Sequence, residues 1–83
     1  MTNLTETTHI EPNDDRFYIN RGIFYHAKGE YDLAIVDFTE AIRLKPDDAK
    51  AYNDCAVSYD KIGDKLRAEA DRQKANELRK KQS

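Results

Sequence analysis

A fixed step of 34 residues links identical residues in the two halves of this chain. The linked pairs are Tyr18 and Tyr52, Tyr25 and Tyr59, Gly29 and Gly63, Ala34 and Ala68, Ala41 and Ala75, and Leu44 and Leu78. Self-similarity at one fixed period is the sequence signature of a repeat architecture. The period therefore constrains the fold and the core together, because each repeat buries its apolar face only against its neighbour.

Size and charge narrow the classes of function. The chain has 83 residues, which is enough for one small domain. Charged residues make up 36% of it and the mean hydropathy is -0.94, so most of its surface is expected to be solvated. A net charge of -2 gives no global attraction to nucleic acid or to an anionic membrane. We therefore expect neither nucleic acid nor membrane as a partner.

Reactive residues are few. The single Cys55 excludes an intramolecular disulfide and a cysteine-rich metal site. Neither His9 nor His26 has a second His or Cys four residues on, and no acid, base and nucleophile constellation is recognisable. We expect no metal, no cofactor and no catalysis. The start of the chain lacks a basic segment followed by an apolar one, so we expect no signal peptide and a cytoplasmic location.

Breaker residues divide the chain into four predicted helices. Gly29 and Gly63 supply the left-handed conformation that ends a helix, and Pro46 cannot continue one. No segment alternates as a strand does. The predicted helices are α1 at about 15–28, α2 at about 31–45, α3 at about 48–61 and α4 at about 64–80. We expect a flexible segment over 1–13 and one domain over 14–82, with repeats at 15–48 and 49–82.

The first repeat carries a recognisable set of residues at fixed offsets. They are Tyr18, Arg21, Gly22, Tyr25, Ala34, Phe38, Ala41 and Pro46. This set resembles the tetratricopeptide repeat, whose pattern is W-x2-L-G-x2-Y followed by Ala, Phe and Pro, with Tyr18 in the place of the Trp. The resemblance implies an all-α fold, an α-solenoid fragment of about two helix-turn-helix repeats.

The second repeat departs from the family pattern within α4. Lys65, Arg72 and Lys80 stand where the pattern has Tyr, Phe and Pro. A helix with another repeat stacked on it needs apolar residues on both sides. We therefore interpret α4 as a terminal capping helix with a thin apolar set: Leu66, Ala68, Ala70, Ala75 and Leu78.

Two phenylalanines on α1 are expected to be buried by another surface. In the family, the side of this helix that faces a preceding repeat carries small residues, as Ala51 and Ser58 do on α3. Phe17 and Phe24 stand at the equivalent positions of α1. Each ring left in water would forgo about 1.5–3 kcal/mol of burial. The rings could be covered by Leu4 and Ile10 folding back, by a second copy, or by an upstream repeat of a longer parent.

The resemblance implies that α1 and α3 line a concave, peptide-binding surface. Asn20 and Asn53 would pair with a peptide backbone, and Asp54 and Asp60 would repel an acidic segment, which favours a neutral or basic peptide. The prediction is a non-catalytic protein-interaction module, with self-association through Phe17 and Phe24 as the alternative. A simpler interpretation is that the groove residues only face solvent. The groove residues are Arg16, Ile19, Asn20, Ile23, His26 and Ala27 on α1, and Lys50, Asn53, Asp54, Val57, Asp60 and Lys61 on α3.

Overall fold

Four helices follow one another in the computed structural model, which describes residues 14–82. They are α1 (Asp15–Ala27), α2 (Tyr31–Leu44), α3 (Ala49–Lys61) and α4 (Lys65–Gln82). Each helix packs mainly against the next one, and α1 also touches α3. Two helical hairpins therefore stack side by side, and the all-α repeat fold predicted from the sequence is confirmed. The predicted flexible segment over 1–13 lies outside the described residues.

Side-chain caps begin the first helix of each repeat. Asp14 Oδ1 accepts a hydrogen bond from the Arg16 amide at 3.0 Å and so caps α1. Asp48 Oδ1 accepts from the Lys50 and Ala51 amides at 3.0 and 3.4 Å and so caps α3. A short carboxylate in this position satisfies amides that have no partner within the helix. Asp14 and Asp48 thus serve as the N-caps of α1 and α3.

The same turn ends α1 and α3. Gly29 and Gly63 have φ of +83° and +84°, the left-handed region that a residue with a Cβ rarely adopts. In the first turn the Gly29 amide donates to His26 O and the Glu30 amide donates to Tyr25 O. The second turn repeats both hydrogen bonds one period later. These pairs form a Schellman motif, which reverses the chain and sets α2 and α4 against the preceding helices.

Phe38 of α2 forms the centre of the first core. Its side chain is 1% exposed and packs with Ile19 of α1 and Cys55 of α3. The ring lies against Gly22, where a Cβ built on the backbone would come within 2.7 Å of Phe38 Cε1. The missing side chain at Gly22 is therefore what lets α1 approach the ring.

The second core is small because α4 contributes little to it. Ala75 and Leu78 of α4 pack with Ala49 of α3, and Tyr52 covers them in part. The prediction that Leu66 and Ala70 belong to this apolar face is wrong, since Leu66 is 84% exposed and Ala70 is also exposed. Each lies two residues from the buried Ala68, about 200° around the helix, and therefore on its opposite side.

Candidate protein-binding groove

A cavity of about 250 Å³ opens between α1 and α3, with Phe38 of α2 at its base. Ile23 and His26 of α1 line one side, and Asp54 and Val57 of α3 line the other. Ile23 is 42% exposed and Val57 is 39% exposed. The fold thus brings four of the residues predicted for the groove around one cavity and places two aliphatic side chains at its mouth.

His26 is held in place on both sides. Its Nδ1 lies 2.9 Å from the Oγ of Ser58, which is fully buried on α3. Its ring meets the Tyr31 ring edge to face, with centroids 4.9 Å apart. These contacts fix the imidazole as a wall of the cavity and join α1 to α3 directly.

The two acidic residues predicted for the groove have different surroundings. Asp54 remains at the cavity and pairs with Lys50, with Nζ and Oδ2 2.9 Å apart. Asp60 turns towards α4, where its carboxylate pairs with Arg72 at 2.5 Å and with Lys65 at 3.8 Å. Asp60 thus ties α3 to α4, a role different from the predicted one, and the departure from the family pattern at Arg72 supplies its partner.

Other members of the predicted set lie around or beneath the groove. Ile19 is only 8% exposed and belongs to the first core, so the prediction that it offers side-chain surface to a peptide is wrong. Arg16 pairs with Asp14 at the start of α1. Asn20 is exposed and Asn53 is half-buried.

Lys50 lies on a second and more polar cavity, of about 410 Å³. That cavity follows the α2–α3 turn and also receives Arg79 from α4. Lys50 therefore stands at the margin of the groove rather than inside it. The two remaining groove candidates, Ala27 and Lys61, are exposed.

Sequence reasoning missed an ion pair behind the groove. Arg21 of α1 donates from Nε and Nη2 to the two carboxylate oxygens of Asp37 on α2, at 2.9 and 2.8 Å. Asp37 is 2% exposed, whereas the Arg21 side chain is 43% exposed. The hydrogen bond raises the pKa of Arg21. No periodic signal in the sequence connects two residues that lie on different helices and 16 positions apart.

Cys55 fills a small, buried position in the first core. Burial is the main cause that raises the pKa of its thiol to about 12, and the carboxylate of Asp71 adds to the rise. Burial also raises the pKa of Asp71, which shares a hydrogen bond with Cys55. A thiol held in its protonated form at neutral pH is a poor nucleophile, so this site has no reactive cysteine.

Phe17 and Phe24 differ in how much of each ring reaches solvent. Phe24 is 56% exposed, with Lys28 Nζ 5.2 Å from the ring centroid. Phe17 is half-buried, with the Arg21 guanidinium 4.9 Å from its ring centroid. Leu4 and Ile10, the proposed internal cover, lie outside the described residues.

Similarity to a known family agrees with this geometry. A family model described as a TPR repeat matches residues 24–63, which run from the end of α1 to the turn after α3. Residues 24–63 therefore form a tetratricopeptide repeat (TPR). The matched segment contains His26, Phe38, Asp54 and Val57, so most of the cavity is built within the recognised repeat.

Two solved structures superpose closely on this TPR protein. The structure named "MamA MSR-1 C2" has a TM-score of 0.86 and 28% identity over 96% of this chain and 46% of that one. The structure of a MamA point mutant has a TM-score of 0.79 and 31% identity over 81% of this chain and 49% of that one. The chain therefore spans about half the length of each of these neighbours.

Membrane spans and metal clusters are both absent from the described part of this TPR protein. Over residues 14–82, none of the four helices combines the length and apolar character needed to cross a bilayer. Within the same residues, no three His, Cys, Asp or Glu side chains gather in a way that could hold a metal ion.

Proposed function

We propose that this TPR protein is a non-catalytic interaction module that binds a peptide or a partner protein in the groove between α1 and α3. One observation carries the proposal. Ile23 and Val57 have solvent-exposed apolar side chains on opposite sides of a cavity that has Phe38 at its base. Burying an aliphatic side chain of this kind contributes about 1.5–3 kcal/mol. A ligand that covers both residues gains that energy without rearranging the core.

The size of the cavity points to a peptide side chain as its occupant. Small-molecule sites usually enclose roughly 300–1,000 Å³. The groove cavity, at about 250 Å³, lies below that range. It fits one apolar side chain of a peptide that continues along the groove in both directions. Two repeats offer a short groove, so a single peptide binds with modest affinity.

The polar groups around the cavity favour a neutral or basic segment. Asp54 is the acidic residue of the lining, and His26 stands opposite it on α1. The Asp54 carboxylate already pairs with Lys50, and it can accept a further hydrogen bond from a cation or an N–H donor beside the apolar anchor, whereas an acidic neighbour would be repelled. Asn20 and Asn53 supply amide groups that pair with a peptide backbone.

Composition supports the proposed class of partner and the proposed location of the protein. The net charge of -2 gives nucleic acid and anionic membranes no global attraction, so the proposed partners are proteins. Cys55 is a free, buried thiol. Free cysteines suit a reducing compartment, and we assign the protein to the cytoplasm on that basis.

A matched pair of valines tests the groove. Selection from a random linear-peptide library would supply a binding peptide, and titration would then compare Val57→Glu with Val36→Glu. Val36 lies outside the cavity on α2 and is 62% exposed. Val57→Glu should weaken binding by more than about tenfold, because a charge then replaces apolar contact at the mouth of the cavity. Val36→Glu should leave the affinity unchanged.

The asparagines provide a second test with the same peptide. Asn20→Ala and Asn53→Ala should each reduce its affinity if the backbone lies along the groove. Binding that survives Val57→Glu and both asparagine variants would refute the groove assignment.

A second candidate function is structural self-association through Phe17 and Phe24. The exposure of Phe24, at 56%, favours it, because the residue one period later, Ser58, is fully buried. Something other than the described residues is therefore needed to cover the equivalent face of α1. The groove and this face are separate surfaces, and variants of one leave the other intact.

A further inference from the structure

The cavity at the α2–α3 turn carries an excess of positive charge, and we call it the basic cavity. Its volume is about 410 Å³, and three cations line it: Lys45, Lys50 and Arg79. Two carboxylates, Asp47 and Asp48, share the lining, so the cations exceed the carboxylates by one. We propose that the basic cavity receives an acidic side chain of a peptide whose apolar anchor lies in the groove. The proposal rests on the groove function above and adds a second contact to it.

Two of these cations, Lys45 and Arg79, form no ion pair within residues 14–82, whereas Lys50 pairs with Asp54. Lys45 is the C-cap of α2 and Arg79 lies in the last turn of α4, one period of 34 residues later. A basic group at the end of a helix also offsets the helix dipole, but that role does not require both residues to line one cavity. Both side chains can therefore donate hydrogen bonds to a carboxylate that enters the cavity, and the arginine can donate two.

An ion pair joins the basic cavity to the groove. Lys50 lines the basic cavity, Asp54 lines the groove cavity, and Lys50 Nζ lies 2.9 Å from Asp54 Oδ2. Both residues belong to α3 and lie four positions apart, which corresponds to about 6 Å along the helix. A peptide that leaves the groove past Asp54 therefore reaches the basic cavity within a few residues.

The separation of the two cavities predicts a spacing in the ligand. Val57, at the mouth of the groove cavity, lies seven residues from Lys50, which corresponds to about 10 Å along α3. Since an extended peptide advances roughly 3.3 Å per residue, the acidic residue should lie about two to four positions from the apolar anchor, on one side of it. The residue next to the anchor lies beside Asp54 and should remain neutral or basic.

The contribution of the acidic residue should be modest and sensitive to salt. Lys45 and Arg79 are exposed, and ion pairs at exposed sites are weakened by solvent and by salt. We therefore expect the acidic side chain to raise the affinity of the peptide about threefold at low ionic strength, and less at high ionic strength. Burial of the anchor in the groove supplies the larger share of binding.

Peptide selection tests the predicted spacing. A random linear-peptide library, fused through its C-terminal end so that no terminal carboxylate is free, would be selected on the full-length wild type and on Lys45→Gln/Arg79→Gln. The wild type should enrich Asp or Glu about two to four positions from the apolar anchor. The variant should enrich the anchor alone. Anchored peptides without acidic enrichment on the wild type would overturn the proposal.

Titration of one selected peptide, amidated at its C-terminus, measures the contact directly. Exchanging its acidic residue for the matching amide should weaken binding to the wild type about threefold and leave binding to Lys45→Gln/Arg79→Gln unchanged. The matched control is Arg43→Gln/Lys74→Gln, which removes one charge from each of the same two helices outside the basic cavity. The exchange should still weaken binding to this control about threefold. Equal losses on all three chains would show that the carboxylate does not contact the basic cavity.

The outcomes separate this proposal from the groove function. If the wild type selects no peptide, or if the selected peptides tolerate Val57→Glu, the groove assignment fails and this proposal fails with it. If peptides bind through Val57 without coupling to Lys45 and Arg79, this proposal fails alone. Circular dichroism of each variant confirms that it is folded.

Discussion

Arg21 and Asp37 form a bidentate ion pair between the two helices of the first repeat, and the second repeat holds a different pair at the same positions. One period later the residues are Cys55 and Asp71, joined by a hydrogen bond from the thiol to the carboxyl group. The difference follows from position in the stack. Arg21 reaches solvent on the open side of α1, whereas Cys55 is enclosed against the first core.

Removal of the arginine should destabilise the chain. Arg21→Met leaves the buried Asp37 carboxylate without its guanidinium partner. Breaking a fully buried pair costs about 3–5 kcal/mol, and the partial exposure of Arg21 lowers our expectation to about 2 kcal/mol. Urea unfolding followed by circular dichroism measures the change. The matched control is Arg43→Met, whose solvent-exposed pair with Glu40 should contribute too little to shift the urea unfolding curve.

Asp71→Asn should stabilise the chain at neutral pH. Burial raises the pKa of Asp71 above its ordinary value of 3.8, so folding favours the protonated form. This contribution to stability is fully present below pH 3.8 and is lost as the pH rises through the folded-state pKa. The amide that this substitution introduces still accepts a hydrogen bond from the Cys55 thiol. Because this amide does not ionise, its contribution to stability does not fall as the pH rises. The gain over wild type in urea unfolding should grow from acidic to neutral pH, and a constant gain would contradict it.

Cys55 should be unreactive until the chain unfolds. Its thiol pKa of about 12 leaves almost no thiolate at mildly alkaline pH, and the side chain is 2% exposed. Ellman's reagent should therefore label the native protein slowly and the urea-unfolded protein fast. The raised pKa also means that stability from Cys55 is present below pH 9 and lost as the pH rises towards 12. Fast labelling of the native chain would disprove the enclosed position.

Gly22→Ala should destabilise the first repeat through contact with Phe38. The added methyl group would lie 2.7 Å from the ring, which is enclosed and has little room to move. Overpacking of this kind costs about 1–3 kcal/mol, measured by urea unfolding. Adding Phe38→Leu to Gly22→Ala should cost less than the sum of the two single changes, because the smaller side chain relieves the clash. If the losses in unfolding free energy were additive, the destabilisation by Gly22→Ala would have a cause other than the contact with Phe38.

Local chemistry explains why much of the fold was predictable. The caps at Asp14 and Asp48 and the turns at Gly29 and Gly63 depend on hydrogen bonds between residues a few positions apart. A short stretch of sequence is therefore enough to predict them. The period of 34 then pairs the helices. In contrast, the Arg21–Asp37 pair depends on how two helices rotate against each other.

The groove was predictable only in part for a related reason. The assignment of residues to α1 and α3 was enough to predict a shared surface for Ile23, His26, Asp54 and Val57. All four line one cavity. Ile19 could not be separated from them by spacing, because a small error in the rotation of the helix moves a residue from the groove wall into the core. The hydrogen bond between His26 and Ser58 also escaped prediction, since it links side chains on separate helices.

Phe38 belongs both to the hydrophobic core and to the base of the groove. A ligand in the cavity touches the ring whose insertion against Gly22 holds α1 to α2. Occupancy and melting temperature are therefore linked, because any ligand that binds only the folded chain stabilises it by mass action. A thermal-shift screen can thus rank candidate ligands without labels, with the Val57→Glu chain reporting which shifts arise elsewhere on the surface.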